Sequence, residues 1–198
     1  MAIDPHPVVG AVLTWRRVLM SDTGASRAAS ARLRHASCVR DALMREETLG
    51  LIRAVRQADG RTPSHHFEQR LVVLAMLLAH IDGESKTPFA RALGQTASGL
   101  APFGHERPLF SPTRFAALMR SANDRDWDGF ARALRRAVVI LGNTPIDVAR
   151  LIGDVLYLSD ATLCSWAYDY WQTSAPTQDE PTQDEPAQSS AKYMEVTS

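Results

Sequence analysis

Lysine is nearly missing from this chain. Of its 22 basic residues only Lys86 and Lys192 are lysines, and the other twenty are arginines. Long hydrophobic runs are missing too. The longest, Leu71 to Ala79, spans nine residues, whereas a helix needs roughly 20 apolar residues to cross a bilayer. It reads as a buried helix segment rather than an anchor. The first residues, Met-Ala-Ile-Asp-Pro-His-Pro, lack the basic-then-apolar layout of a signal peptide, so a soluble cytoplasmic protein without a membrane partner is expected. Cysteine is scarce: Cys38 and Cys164 lie 126 positions apart within apolar helical patterns. That spacing does not suggest a disulfide framework or a zinc site, and both are expected to be buried free thiols.

The familiar enzyme templates are also absent. Gly94-Gln-Thr-Ala-Ser-Gly99 has the glycine spacing of a phosphate loop but continues Leu100-Ala101 where Lys and Ser/Thr are required. There is no H-E-x-x-H, no G-x-S-x-G and no paired C-x-x-C. His65 and His66 are adjacent on a helix and point in different directions, and His80 with Asp82 has no third ligand nearby. Asp124, Asp126 and Asp128 alternate, but a calcium loop needs a glycine and a later glutamate that do not fit here. They are better suited to favouring a helix N-terminus through its dipole. The expectation is a protein that is not an enzyme, with no cofactor, no metal and no small-molecule substrate.

What is present is helix. With 198 residues, 45% of them hydrophobic, the chain is long enough to bury a core as one domain or two small ones. Val8, Val12, Trp15 and Leu19 recur at helical spacing, Ser21 to Gly24 breaks the pattern, and Arg27 to Ala36 is rich in helix formers. Val39, Ala42, Leu43, Leu49, Ile52 and Val55 predict one further amphipathic helix, ended by Asp59-Gly60. Thr62-Pro63 predicts an N-cap followed by proline at the first helical position. The Phe67 to Ile81 stretch is apolar nearly all round and should be the central buried helix. Residues 82–110 are loop-rich, with a short helical piece near Phe89 to Leu93. Ser111-Pro112 restarts the helical pattern, and Trp127, Phe130, Leu134, Ala137, Val138 and Leu141 form a long apolar stripe closed by Gly142-Asn143. Thr144-Pro145-Ile146-Asp147 predicts another start, with the acid at the third helical position. Leu163, Trp166, Ala167 and Tyr170 share one face of a final helix. Sustained period-two alternation is lacking, so an all-α fold is predicted. Its expected layout is two small helical bundles joined by a loop-rich segment: residues 1–95, a connecting loop 96–110, a C-terminal bundle 111–173, and a tail 174–198.

That tail repeats Pro-Thr-Gln-Asp-Glu at 176–180 and 181–185 and is predicted to be disordered. It adds solubility or, more sharply, acts as an acidic decoy that competes with nucleic acid. It also masks the charge of the rest. Five acids against Lys192 give it −4, leaving 21 basic and 17 acidic residues, or +4, in 1–173. Arginine suits bidentate contact with phosphate and sheds water more readily than lysine. Arg132 and Arg136 are four apart, with Arg135 beside them; Arg114 and Arg120 bracket an apolar triplet; Arg27 and Arg34 are seven apart, with Arg32 alongside. Most have no acid four residues before them to neutralise them, Arg132 with Asp128 being the exception. A solvated surface is the ordinary reading of any one arginine, whereas the set is also compatible with a basic stripe that meets phosphates.

In order along the chain stand Trp15, Ala31-Arg32-Leu33-Arg34, the apolar Leu71 to His80 helix, Arg114-Phe-Ala-Ala-Leu-Met-Arg120, Leu134-Arg135-Arg136, Ile146-Asp147 and the closing Trp166 to Trp171. This ordered set, covering about residues 8–172, resembles the CasB family, the small subunit of the type I-E CRISPR surveillance complex called Cascade. The resemblance implies an all-helical, non-catalytic protein present as two copies within a ribonucleoprotein. There it contacts other Cascade subunits, the guide RNA–target DNA region and the displaced strand, and stabilises the R-loop in antiviral defence. A separate helicase-nuclease does the cutting. The contact residues it implies are Arg34, Arg114, Arg120, Arg135 and Arg136, with Arg27 and Arg32 beside them; Arg132 joins on spacing alone. His35 stands where the family often has a second arginine, and the acidic repeat lies outside the family pattern. Two other classes remain open: a free-standing helical DNA-binding regulator, which would need a recognition helix aimed at base edges, and a purely structural helical adaptor, whose arginines would be salt-bridged surface.

Overall fold

A computed structural model describes residues 7–96 and 107–173. The expected disordered tail, and most of the connecting loop, lie outside the described residues. Among those residues there are ten α-helices: α1 (Pro7–Leu19), α2 (Gly24–Arg34), α3 (Val39–Leu43), α4 (Glu46–Asp59), α5 (His65–Leu78), α6 (Phe89–Gly94), α7 (Pro112–Asn123), α8 (Trp127–Leu141), α9 (Val148–Leu156) and α10 (Asp160–Trp171). The only β-type pairings among them are two isolated bridges, Glu84 with Ile146 and Thr96 with Pro108. The all-helical class is as the periodicity predicts.

Helix α5 organises the rest. All nine residues from Leu71 to Ala79 are buried, because the helix is apolar around its whole circumference and is covered on every side. It packs against α2, α3, α4, α8 and α9, so helices from both segments share it, and the buried side chains form one continuous cluster from Val8 to Tyr170. Helix α6 packs on α10. A Cβ at Gly94 would stand 2.0 Å from the Tyr170 carbonyl oxygen, so the glycine that mimicked a phosphate loop is there to let two backbones touch. Around this contact Tyr170 stacks on Phe115 at 4.0 Å, donates its buried hydroxyl to the Phe110 carbonyl (2.6 Å), and lies one helical turn from Trp166, which meets Phe89 edge-on. Burial pushes the Tyr170 phenol up to about 12.

The structure differs from the sequence expectation at several helix ends. The helix expected from Val39 to Val55 is two. Helix α3 stops at Met44, and α4 restarts after Arg45 with Glu46 and Glu47 in its first turn, where acids suit the helix dipole. The first turn of α3 is tied down from elsewhere: the Val39 amide donates to Asp128 Oδ1 of α8 at 2.7 Å. Helix α5 is capped by Ser64, whose hydroxyl accepts from the Phe67 amide, rather than by Thr62. Asp147 is itself the cap of α9, accepting from the Arg150 amide at 2.9 Å, because Ile146 is still extended and bridged to Glu84. Gly60 closes α4 in the left-handed region at φ 68, as expected. Cys38 is half-buried, but Cys164 is exposed, on the side of α10 away from Trp166 and Tyr170. Among the described residues no helix is long and apolar enough to cross a membrane.

Candidate nucleic-acid interface

The twenty arginines are one residue type in the sequence and separate into distinct populations in the fold. One population is structural. Arg16 is buried and donates to the Ile81 carbonyl (2.8 Å) and to Glu84 (2.6 Å). Arg70 donates to the Leu156 carbonyl at 2.6 Å, reaches that of Leu158, and lies over the Trp127 ring, joining α5 to the end of α9. Arg150 holds Asp169 at 2.6 Å. Spacing marks neither Arg16 nor Arg70, whose hydrogen-bond partners lie 65 to 88 positions away, whereas Arg150 also stands 3.9 Å from Asp154, one helical turn on.

The arginines of α2 have carboxylates of their own. Arg27 meets Asp22 at 3.2 Å, with both side chains largely exposed. Arg32 makes two hydrogen bonds to Glu47, a carboxylate only 10% exposed. Arg34 donates to the Ala79 carbonyl and stands 3.8 Å from Asp82. These acids are not at helical spacing from their partners, so the expectation of unpaired arginines on this helix does not hold.

On α7 and α8 the opposite occurs. Arg114, Arg132, Arg135 and Arg136 line one groove of about 600 Å³ between the two helices, together with Phe110, Ala117, Gly129, Ala133 and Val139. The inward stripe of α8 (Phe130, Leu134, Ala137, Val138) seats it on the core, which turns Arg132 and Arg136, one turn apart, outward. Phe115 and Leu118 do the same for α7 and leave Arg114 and Ala117 at the groove. Alanine and glycine between the guanidiniums leave the groove unfilled; Gly129 and Ala133, four apart beside Arg132 and Arg136, are the sequence signal for it. Arg114, Arg132 and Arg136 are exposed, and among the described residues no carboxylate lies within 4.0 Å of any of them. The acid that spacing assigned to Arg132, Asp128, instead accepts the Val39 amide.

Arg135 differs from its neighbours. It is half-buried, its Nη2 donates to the Ala36 carbonyl at 2.7 Å, and burial lowers its pKa. It thereby ties α8 to the chain just after α2. Next to it lies His80, whose imidazole is pushed down to about 4 by burial, reinforced by Arg135, Arg34 and exposed His35 and opposed by Asp82. The α2 terminus and the groove are therefore electrostatic neighbours. Arg120 is exposed but does not line the groove. Six positions beyond Arg114, at roughly 100° per residue, it comes about 240° further round the helix.

Three exposed guanidiniums on one groove, those of Arg114, Arg132 and Arg136, suit a polyanion: each presents a planar fork that matches two phosphate oxygens, and a groove on two rigid helices spares much of the ordering cost. No group of three or more potential metal ligands occurs among the described residues.

Residues 26–171 match the family of the CRISPR-associated protein Cse2. The chain belongs to this family. It is the CasB small-subunit family of type I-E Cascade to which the ordered motifs pointed, and the chain is a subunit of a CRISPR Cascade complex, assembling there with other subunits. The match takes in nearly all of α2 through α10 and the whole arginine groove, and excludes α1 and the acidic repeat. Neither a curated protein nor a solved structure matches the chain.

Proposed function

We propose that this Cascade subunit is the non-catalytic, cytoplasmic small subunit that grips nucleic-acid backbone through the α7–α8 groove and stabilises the R-loop. Arg114, Arg132 and Arg136 are the primary phosphate ligands. Arg135 contributes mainly by holding α8 in place, and Arg34 extends the basic surface toward the end of α2. Arg27 and Arg32 act through their ion pairs in packing, and Arg120 meets a separate stretch of backbone or a protein neighbour. The partners are guide RNA and target DNA, the displaced strand, other Cascade subunits, and a second copy of the chain.

The observation that carries this reading is the convergence on one groove of Arg114, Arg132 and Arg136, exposed and with no carboxylate within 4.0 Å among the described residues. Physically, R-loop formation exchanges one duplex for another at nearly balanced energy, so a few backbone contacts are enough to tip it. Guanidiniums that meet phosphates carry no sequence information, which suits a complex whose guide does the reading.

The test is Arg132→Gln with Arg136→Gln in the assembled complex, measured as target affinity against salt. Affinity should fall alike for unrelated targets with matching guides. The log–log salt slope should flatten by about 0.9 for each lost duplex phosphate contact, or about 0.7 for a single strand. An unchanged slope would refute the phosphate role of the groove.

A further inference from the structure

We infer that the acidic segment after Thr173 docks in the arginine groove of its own chain and occupies it until nucleic acid displaces it. The inference rests on the groove being an anion site, as proposed above.

Three observations carry it. The family match ends at residue 171, and directly beyond it stands a duplicated Pro-Thr-Gln-Asp-Glu unit with Asp179, Glu180, Asp184 and Glu185. The segment from 174 carries −4 and the body it follows carries +4. Lastly, the chain is tied to the groove's rim three residues before the described body ends. Tyr170 stacks on Phe115, the neighbour of Arg114, and donates to the carbonyl of Phe110, which itself lines the groove. The first acid pair begins six residues beyond Thr173, within about 20 Å of extended chain, and the second within about 40 Å. That contour length exceeds a few side-chain diameters, so docking asks for no rearrangement of the helices.

Carboxylate pairs are poorer ligands for a guanidinium cluster than a continuous phosphate backbone, but tethering places them at an effective concentration in the millimolar range. The result is a competitor strong enough to exclude sparse or short polyanions and weak enough to yield to the dense phosphates of an R-loop. The segment thus acts as a selectivity filter against adventitious RNA.

The experiment uses the full chain, free in solution, with Asp179→Asn, Glu180→Gln, Asp184→Asn and Glu185→Gln combined. Side-chain Nε–Hε NMR signals of Arg132 and Arg136 should differ between this variant and the native chain in the absence of nucleic acid, independently of protein concentration. A short single-stranded oligonucleotide should bind the variant about fivefold more tightly, the competition factor for a millimolar effective concentration about four times the local dissociation constant. Identical arginine signals overturn the inference even if affinity rises, since net charge alone would then account for the gain. A difference that grows with protein concentration also overturns it, by assigning the segment to the groove of a second copy. The parent reading is judged separately: if Arg132→Gln with Arg136→Gln leaves oligonucleotide binding unchanged, the groove is not the nucleic-acid site, while the arginine signals of the native chain still decide the docking.

Discussion

Replacing Gly94 with alanine should drive α6 away from α10. The added Cβ would lie 2.0 Å from the Tyr170 carbonyl oxygen and 2.9 Å from its carbon. An ordinary contact needs about 3.4 Å, and both partners are main chain, so no side-chain rotation relieves it. The helices must separate by more than 1 Å at a fully buried seam, which overpacking studies place at about 1–3 kcal/mol. The same displacement loosens the Tyr170 hydrogen bond to Phe110 and its stack on Phe115, adding about 1 kcal/mol for the former and about 0.5–1.5 for the latter. Against this stands the better helix propensity of alanine, at most about 1 kcal/mol. The net loss should be about 1.5–4.5 kcal/mol, or roughly 3–18 °C in Tm for a chain of this size. Chemical and thermal denaturation of the full chain measure it. Gly50→Ala supplies the internal control: that glycine is mid-helix in α4 with nothing within 4 Å of a Cβ, so alanine should stabilise by about 0.5–1 kcal/mol. If both substitutions shift stability in the same direction, the close approach of α6 and α10 is not what holds residue 94 to glycine.

Adjacent arginines on α8 should behave differently. Arg135→Ala should lower unfolding free energy by about 1–2 kcal/mol through its lost bond to the Ala36 carbonyl, whereas exposed Arg136→Ala should stay within about 0.5 kcal/mol; equal costs in urea titrations would contradict the division of labour. Because His80 is depressed to about 4 in the folded state against 6.5 unfolded, the unfolded chain binds the extra proton between those values. Stability should therefore decline as pH drops from about 6.5 toward 4, and His80→Gln should flatten that part of the profile; a slope that survives the substitution would assign it to other groups. Asp126→Ala removes the α8 cap, whose carboxylate accepts the Gly129 amide at 2.9 Å, and should cost about 1 kcal/mol. Asp126→Asn should recover most of it in the same denaturation series.

Much of the fold is legible along the chain because its causes are local. Apolar residues at helical spacing, a glycine that closes α4, and serine–proline before α7 mark where helices run with no knowledge of their neighbours. The nine-residue apolar run of α5 even announces a central helix. The errors fall where a distant group decides. The break between α3 and α4 interrupts an apolar pattern that is continuous in sequence, and Asp128, 89 positions on, bonds the first turn of α3. Ser64 and Asp147 displace the caps predicted at Thr62 and Thr144 because the intervening residues stay extended.

By itself, then, the sequence determined that the chain is helical, which faces are apolar, and that its basic residues are arginines set against a separate acidic segment. Only the tertiary structure decided which arginines are available. Arg16, Arg70 and Arg150 are tied up in packing; Arg27, Arg32 and Arg34 are met by Asp22, Glu47 and Asp82; and Asp128 turns from Arg132 to a backbone amide. The physical reason is range. Helical periodicity arises between residues three or four apart, whereas a guanidinium is neutralised by whichever carboxylate the fold brings within about 4 Å of it.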